Sequence, residues 1–162
     1  MNITFKESLH SNISLNLEIT EVLHQCQTNY QKMIIFKNPK FGRVLALDGI
    51  IQTTEKDEYI YHEMFVHQPL LSLSSPRNVL IIGGGDGGIL REVMKYPSIE
   101  TVTMVEIDPT VIQLCREYMP FMSNGSFDDS RLTLLVQDAM DFIKVCQESF
   151  DVILSDTSDP VG

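Results

Sequence analysis

Val79–Gly88 reads VLIIGGGDGG, and its interpretation decides the fold. Four apolar residues predict a short buried strand, and the glycines after them let the backbone turn sharply without a Cβ penalty. Ile89–Lys95 is rich in helix formers, so the glycines fall where a strand hands over to a helix. Gly83, Gly85 and Gly88 fit G-x-G-x-x-G, a pattern that brings backbone N–H groups and a helix N-terminus close to a ligand. Glu106 closes the next apolar run, TVTMVEID, 18 residues beyond Gly88. An acidic residue there commonly takes ribose hydroxyls, and a capping or solvent-facing residue is the alternative. Together these features indicate a nucleoside-containing ligand. Asp86, inside the glycine loop, sharpens the reading, because a pyrophosphate would be repelled by a carboxylate at that point.

Outward from this stretch, strand and helix alternate: strand 78–82, helix 88–95, strand 101–106, helix 109–118, strand 131–136, helix 139–147 and strand 150–155. The rhythm predicts a parallel, doubly wound sheet with helices on both faces. Asp108-Pro109 reads as a helix start with proline at the first position. Ser123–Ser130, SNGSFDDS, reads as a surface loop. Upstream, residues 55–73 carry Tyr61, Met64, Phe65 and Gln68 at helical spacing, closed by Ser74-Ser75-Pro76. Earlier still, Ile13, Leu15, Leu17 and Ile19 alternate with mostly polar residues, as in a half-buried strand. β-type runs follow at Tyr30–Lys37 and Arg43–Thr53, punctuated by Asn38-Pro39 and Asp48-Gly49. The expected organisation is a small antiparallel β domain over 1–53 and a Rossmann-like nucleoside-binding domain over 54–162. Such a small sheet has edges to cover, for which a second subunit is one candidate. The last strand, DVILS, is of buried type with nothing after it to cover its outer edge, so the chain reads as part of a longer protein.

Composition narrows the partners. With 22 acidic against 12 basic residues the net charge is −10, against nucleic-acid binding and compatible with a cationic ligand or simply a soluble surface. No apolar run reaches the roughly 18 residues of a membrane span. Cys26, Cys115 and Cys146 are odd in number and form no C-x-x-C pair, which favours a reducing, cytoplasmic compartment. His62 and His67 in HEMFVH are five apart, roughly 140° around a helix, so they miss the H-E-x-x-H metal spacing, and no metal site is expected.

Ligands of open α/β sheets bind where strand order reverses, beyond the carboxyl ends of the strands. That point lies between the first and fourth strands and brings Asp86 towards SDTSDPVG, Ser155–Gly162, with Asp156 and Asp159. These carboxylates would repel one another unless a cation sat among them, although DTSDP by itself also suits an ordinary turn. Asp138 follows the third strand and suits either this site or the N-cap of the next helix.

The runs Tyr30-Gln31, LDGIIQTTEKDEYIYHEM (47–64), VLIIGGGDGGILREV (79–93), VEID (105–108), QDAMDF (137–142) and SDTSDPVG (155–162) closely resemble the spermidine synthases. These are aminopropyltransferases built on the methyltransferase-type Rossmann fold. The resemblance implies transfer of a 3-aminopropyl group from decarboxylated S-adenosylmethionine, a co-substrate rather than a cofactor, to putrescine, with spermidine and 5′-methylthioadenosine as products. It implies that Gln31 and Glu106 hold the nucleoside and that Asp138 with Ala139 meets the adenine. Asp86 would bind the aminopropyl amine, and Tyr61 and His62 would line the substrate channel. Asp156 would accept the proton of the attacking amine, and Asp159 would position putrescine. A homodimer through the N-terminal β domain is also implied. Ala139 stands where many relatives have glycine, and Thr4-Phe5 where many have Trp-Phe. Family members continue beyond this segment, with proline expected after Gly162. The rival readings are an S-adenosylmethionine-dependent small-amine N-methyltransferase and a catalytically inactive dimerisation fragment.

Overall fold

In the computed structural model, which describes residues 3–10 and 12–157, the chain divides into two compact units that part between Glu58 and Tyr59. The first unit holds six strands: β1 (Ile3–His10), β2 (Ile13–Ile19), β3 (Glu21–Gln27), β4 (Lys32–Asn38), β5 (Gly42–Leu47) and β6 (Ile50–Thr54). They form two antiparallel sheets, a β1-β2 ribbon and a four-stranded sheet in the order β3-β4-β5-β6. Local turn chemistry sets the register. Asp48 and Gly49 take φ of 48° and 83°, the left-handed pair of a two-residue hairpin, and place Leu47 opposite Ile50. Asn38 accepts the N–H groups of Lys40 and Phe41 at 2.9 and 3.0 Å and donates to the carbonyl of Glu18 at 2.9 Å. One amide thus closes a turn and ties β2 to it.

β1 and β3 carry weak sequence signals, each for a physical reason. In β1 the alternation Ile3, Phe5 breaks at Glu7, a buried carboxylate that accepts the backbone N–H of Ile51 at 2.8 Å. β3 is an edge strand with little of it buried, so no apolar face is written into it. The half-buried face expected of 13–19 is confined to one end of β2. Leu17 is buried and packs with Phe5, Phe36 and Val44, whereas Ile13 and Leu15 are 67% and 50% exposed.

The second unit is a parallel α/β sheet. Its strands β7 (Asn78–Gly83), β8 (Thr101–Glu106), β9 (Leu132–Val136) and β10 (Val152–Asp156) run in the order β10-β7-β8-β9, with the fourth strand beside the first. Its helices are α1 (Glu58–Leu71), α2 (Gly88–Met94), α3 (Pro109–Tyr118), α4 (Pro120–Ser123) and α5 (Ala139–Val145). Because successive strand residues point to opposite faces, Val79, Ile81, Val102, Met104, Val152 and Leu154 meet Val66, Leu70, Ile89, Val93 and Ile112 on one side. Each such burial is worth about 1.5–3 kcal/mol. On the other face Leu80 and Val105 pack under Phe142 of α5. The buried stripe of α1 is Glu58, His62, Val66 and Leu70, an i, i+4 ladder, while Tyr61 and Met64 face outward.

Ser123–Ser130 is not a surface loop. It holds the end of α4 and a 3₁₀ turn, Ser126–Asp128, and it buries Ser123, Ser126 and Phe127. The polar residues around a single phenylalanine hide this role in the sequence. Next to it, Arg131 donates to the carbonyls of Met94, Tyr96 and Ile99 at 2.9, 3.0 and 3.3 Å, closing the end of α2, and pairs with Asp129 at 2.8 Å. Hydrogen bonds from the Arg131 side chain and backbone hold the Asp129 carboxyl down at about 2. A depressed carboxyl stabilises the fold above its unfolded value of 3.8 and loses that contribution as pH falls towards 2. Arg131→Gln is expected to lower the unfolding free energy by about 2 kcal/mol. Asp129→Asn should flatten the acid limb of stability between pH 3.8 and about 2. Urea unfolding across that range checks both.

Candidate functional site

The carboxyl ends of β7, β8 and β10 meet around the glycine loop. Gly83, Gly84 and Gly87 take φ of 79°, 72° and 86°, a left-handed backbone that other residues adopt only at a cost. The neighbours exclude a side chain as well. A Cβ on Gly83 would collide with the carbonyl oxygen of Asp156, and one on Gly88 with the imidazole of His62. On Gly87 it would lie 2.6 Å from Ser123 Cβ and 2.7 Å from Phe127 Cε2. The loop is therefore clamped on its two sides, by β10 and by the α4–3₁₀ segment. Arg91 of α2 donates to the carbonyls of Phe121 and Met122 at 3.2 and 2.9 Å, which fixes that segment to the helix behind the loop.

Asp86 stands at the tip of the loop. Its Oδ1 accepts the Gly88 N–H at 2.8 Å, and its Oδ2 lies 3.6 Å from Nε2 of His62, whose side chain is almost fully buried. Asp156 ends β10 directly across from Gly83, with its carbonyl accepting the Gly84 N–H at 3.2 Å. Its Oδ1 accepts the Tyr61 hydroxyl at 2.7 Å. Burial pushes the Asp156 carboxyl above its usual range, and the charge of Asp86 adds to this. The Tyr61 hydrogen bond and His62 pull the other way without cancelling it. Tyr61 also stacks on Phe65, with ring centroids 5.3 Å apart.

Glu106 lies on the far side of the loop, buried, with Oε1 accepting the Asp108 N–H at 2.8 Å. Burial raises it too, against hydrogen bonds from the backbone of Asp108, Ile107 and Gly85. Asp108 itself caps α3, accepting the Thr110 N–H at 3.0 Å ahead of Pro109. Asp138 caps α5 by accepting the Met140 N–H at 2.7 Å and is exposed just beyond the end of β9. Ala139 follows, half-buried, as the first residue of α5.

The structure thus gathers Tyr61, His62, Asp86 and Asp156 in one cluster, with Glu106 behind the loop and Asp138 and Ala139 one strand further along. Gln31 belongs to the first unit, where its backbone N–H donates to Thr28 Oγ1 at 3.0 Å in the turn before β4. Asp159 lies outside the described residues. The sequence reading named Tyr61 and Asp156 separately. Their hydrogen bond spans 95 residues of chain and needs the parallel pairing of β10 with β7 to be seen. Phe127 and Ser123 escaped it because nothing in SNGSFDDS marks them as the wall of a site.

An antiparallel β unit followed by a parallel α/β sheet, with acidic residues gathered at the switch point, is a Rossmann-type architecture preceded by a β domain. Residues 58–162 match the family model described as the spermine/spermidine synthase domain, and residues 3–55 that of the spermidine synthase tetramerisation domain. The chain belongs to the spermine/spermidine synthase family. It is 51% identical over 158 residues to a polyamine aminopropyltransferase of Pseudomonas syringae pv. tomato, and 52% identical over 158 residues to polyamine aminopropyltransferase 1 of Pseudomonas aeruginosa. Each alignment covers 98% of this chain and 55% of the relative. Among solved structures, a spermidine synthase in complex with the transition state analogue AdoDATO superposes with a TM-score of 0.93 at 42% identity, covering 98% of this chain and 54% of that one. The spermidine synthase of Thermotoga maritima gives 0.90 at 41% identity, covering 94% and 54%. The chain spans about half the length of the curated relatives it matches.

The raised Glu106 has a measurable consequence. The unfolded chain gives up this proton near 4.5 and the folded chain at a higher pH. Ionised Glu106 therefore costs nothing below 4.5 and costs fully above its folded value. Relative to wild type, Glu106→Gln is expected to gain stability between pH 4 and pH 7.5, as read by urea unfolding at both. An unchanged difference at the two pH values would show that Glu106 carries no strained charge.

Proposed function

We propose that the protein carrying this sequence is a cytoplasmic aminopropyltransferase that makes spermidine and 5′-methylthioadenosine from putrescine and decarboxylated S-adenosylmethionine. The observation that carries the reading is the Asp86–Asp156 pair at the switch point, two close carboxylates with Tyr61 and His62 as their polar neighbours. Such a pair suits two cationic substrates. The donor lacks the α-carboxylate of S-adenosylmethionine, and Asp86 attracts the ammonium of its aminopropyl arm while repelling the undecarboxylated molecule.

Glu106 takes the ribose hydroxyls and Asp138 with Ala139 meets the adenine, with Gln31 contributing from the first unit. Tyr61 and His62 line the channel, and Asp159 positions putrescine. In the reaction the amine lone pair attacks the methylene beside the sulfonium. The carbon–sulfur bond breaks, its electrons return to sulfur as the neutral thioether, and the amine's proton passes to Asp156. An alkylammonium of pKa about 10 costs about 4 kcal/mol to deprotonate at pH 7. The leaving group already favours displacement, so the protein's task is to hold donor and acceptor in line and receive the proton. A carboxyl raised by burial is a better proton acceptor than an ordinary one, and Asp156 is in that state. The first unit supports a homo-oligomer, and the family model it matches is named for tetramerisation.

The test incubates the gene product that carries this sequence, and residues 1–162 alone, with decarboxylated S-adenosylmethionine and putrescine, following products by mass spectrometry. Spermidine from the gene product is expected. N-methylputrescine formed from S-adenosylmethionine instead would overturn the reading in favour of a methyltransferase. Asp156→Asn keeps an acceptor for Tyr61 and should lower turnover by roughly 10²–10⁴-fold while 5′-methylthioadenosine binding survives.

A further inference from the structure

We propose that His67 and Glu92 are positioning residues that lock α1 at one height against α2, so that Tyr61 and His62 meet Asp156 and Asp86. The proposal rests on the aminopropyltransferase reading for its kinetic consequences and on geometry for the lock itself.

Glu92 is fully buried in α2, one turn below Gly88. Its Oε1 accepts Arg91 Nε at 2.8 Å. Its Oε2 accepts Lys95 Nζ at 2.6 Å and lies 3.1 Å from Nε2 of His67. The other ring nitrogen, Nδ1, is 2.8 Å from the hydroxyl of Tyr96. An ionised carboxylate only accepts, so Nε2 carries a proton towards Glu92; in the neutral ring Nδ1 then accepts from the Tyr96 hydroxyl. Burial pushes Glu92 up, but the hydrogen bonds of Lys95 and Arg91 outweigh it and hold the carboxyl below its usual value, charged and able to accept.

α1 therefore meets α2 at two specific points, one steric and one polar. Higher up, the His62 imidazole lies against Gly88, where no Cβ fits. Five residues on, His67 bonds Glu92. Around them the surroundings are aliphatic: Val66 and Leu70 share one buried cluster with Ile89, Leu90 and Val93. Aliphatic packing alone tolerates sliding, whereas a hydrogen bond from half-buried His67 to the fully buried Glu92 carboxylate specifies register. The stakes are set by helix geometry: a slip of one residue moves a side chain about 1.5 Å along the axis and about 100° around it. The 2.7 Å bond between Tyr61 and Asp156 would not survive that. Arg91 extends the lock, since it holds both Glu92 and the carbonyls of Phe121 and Met122 behind the loop.

The experiment compares wild type, His67→Leu and His67→Gln, whose amide can still donate to Glu92. Asn38→Ala, which loses the turn and β2 hydrogen bonds of the first unit, serves as a destabilised control. In the gene product carrying this sequence, His67→Leu is expected to raise the putrescine KM about tenfold, the loss of one hydrogen bond to a charged group, and to lower kcat. The dissociation constant of 5′-methylthioadenosine should stay as in wild type, because Glu106 and Asp138 do not sit on α1. His67→Gln should recover most of the acceptor KM, and the control should keep both KM values. A second readout needs no activity: the ¹⁵N shifts of the His62 imidazole should move in His67→Leu and stay put in Asn38→Ala. A His67→Leu protein with wild-type KM and unmoved His62 shifts overturns the proposal. An inactive wild type overturns the functional reading instead, and the His62 shifts then decide the lock alone.

Discussion

Gly83 and Asp156 sit opposite each other where β7 pairs with β10, and they approach so closely that the carbonyl of Asp156 fills the space of a Cβ. Much of the site depends on that approach. It forces glycine at 83, and the chain leaves the strand with φ of 79° and 72° at Gly83 and Gly84. It lets the Gly84 N–H reach the Asp156 carbonyl, so the loop and the end of β10 hold each other. It also aims the Asp156 carboxyl at the loop that carries Asp86. With a bulkier residue at 83 the two strand ends would splay, and the carboxylates would lose their common focus.

Parallel pairing supplies this geometry because it places the carboxyl ends of all four strands along one edge. Glu106, Asp138 and Asp156 all lie at that edge, on β8, after β9 and on β10, though they are far apart in sequence. Two of them also serve as local backbone partners: Glu106 holds the Asp108 N–H and Asp138 caps α5. Asp86 does the same for Gly88. The carboxylates are thus pre-oriented by hydrogen bonds to their own loops, which limits the ordering that a ligand would have to impose.

The strand–helix alternation, the switch point and the acidic residues around it were legible in the chain because each has a short-range cause. A buried parallel strand is a continuous apolar run, a loop facing a ligand is glycine-rich, and Asp108-Pro109 starts a helix by sterics alone. What escaped was set at long range. β1 is hidden by Glu7, whose burial is made tolerable by a backbone donor 44 residues away. The wall made by Phe127 against Gly87 could not be read from a polar octapeptide. Only the folded chain shows that Tyr61, on the outward side of α1, turns to Asp156 while His62 and Val66 face the core.

Glu92, Glu106 and Asp156, on α2 and at the strand ends, divide by the direction of their titration. Glu92 is held below its usual range by Lys95 and Arg91, so its charge is matched and contributes stability throughout the neutral region. Glu106 and Asp156 are raised, chiefly by burial, with backbone donors or a tyrosine too weak to offset it. Their charges cost stability at neutral pH, and a cationic or hydroxyl-rich ligand would relieve that cost on binding. A matched buried charge marks a joint of the scaffold, whereas an unmatched one at a strand end marks a place that a ligand completes. On this criterion the α1–α2 contact is a joint, and the edge from Glu106 to Asp156 is where the proposed ligand site falls. The first holds the second in shape through Tyr61 and His62.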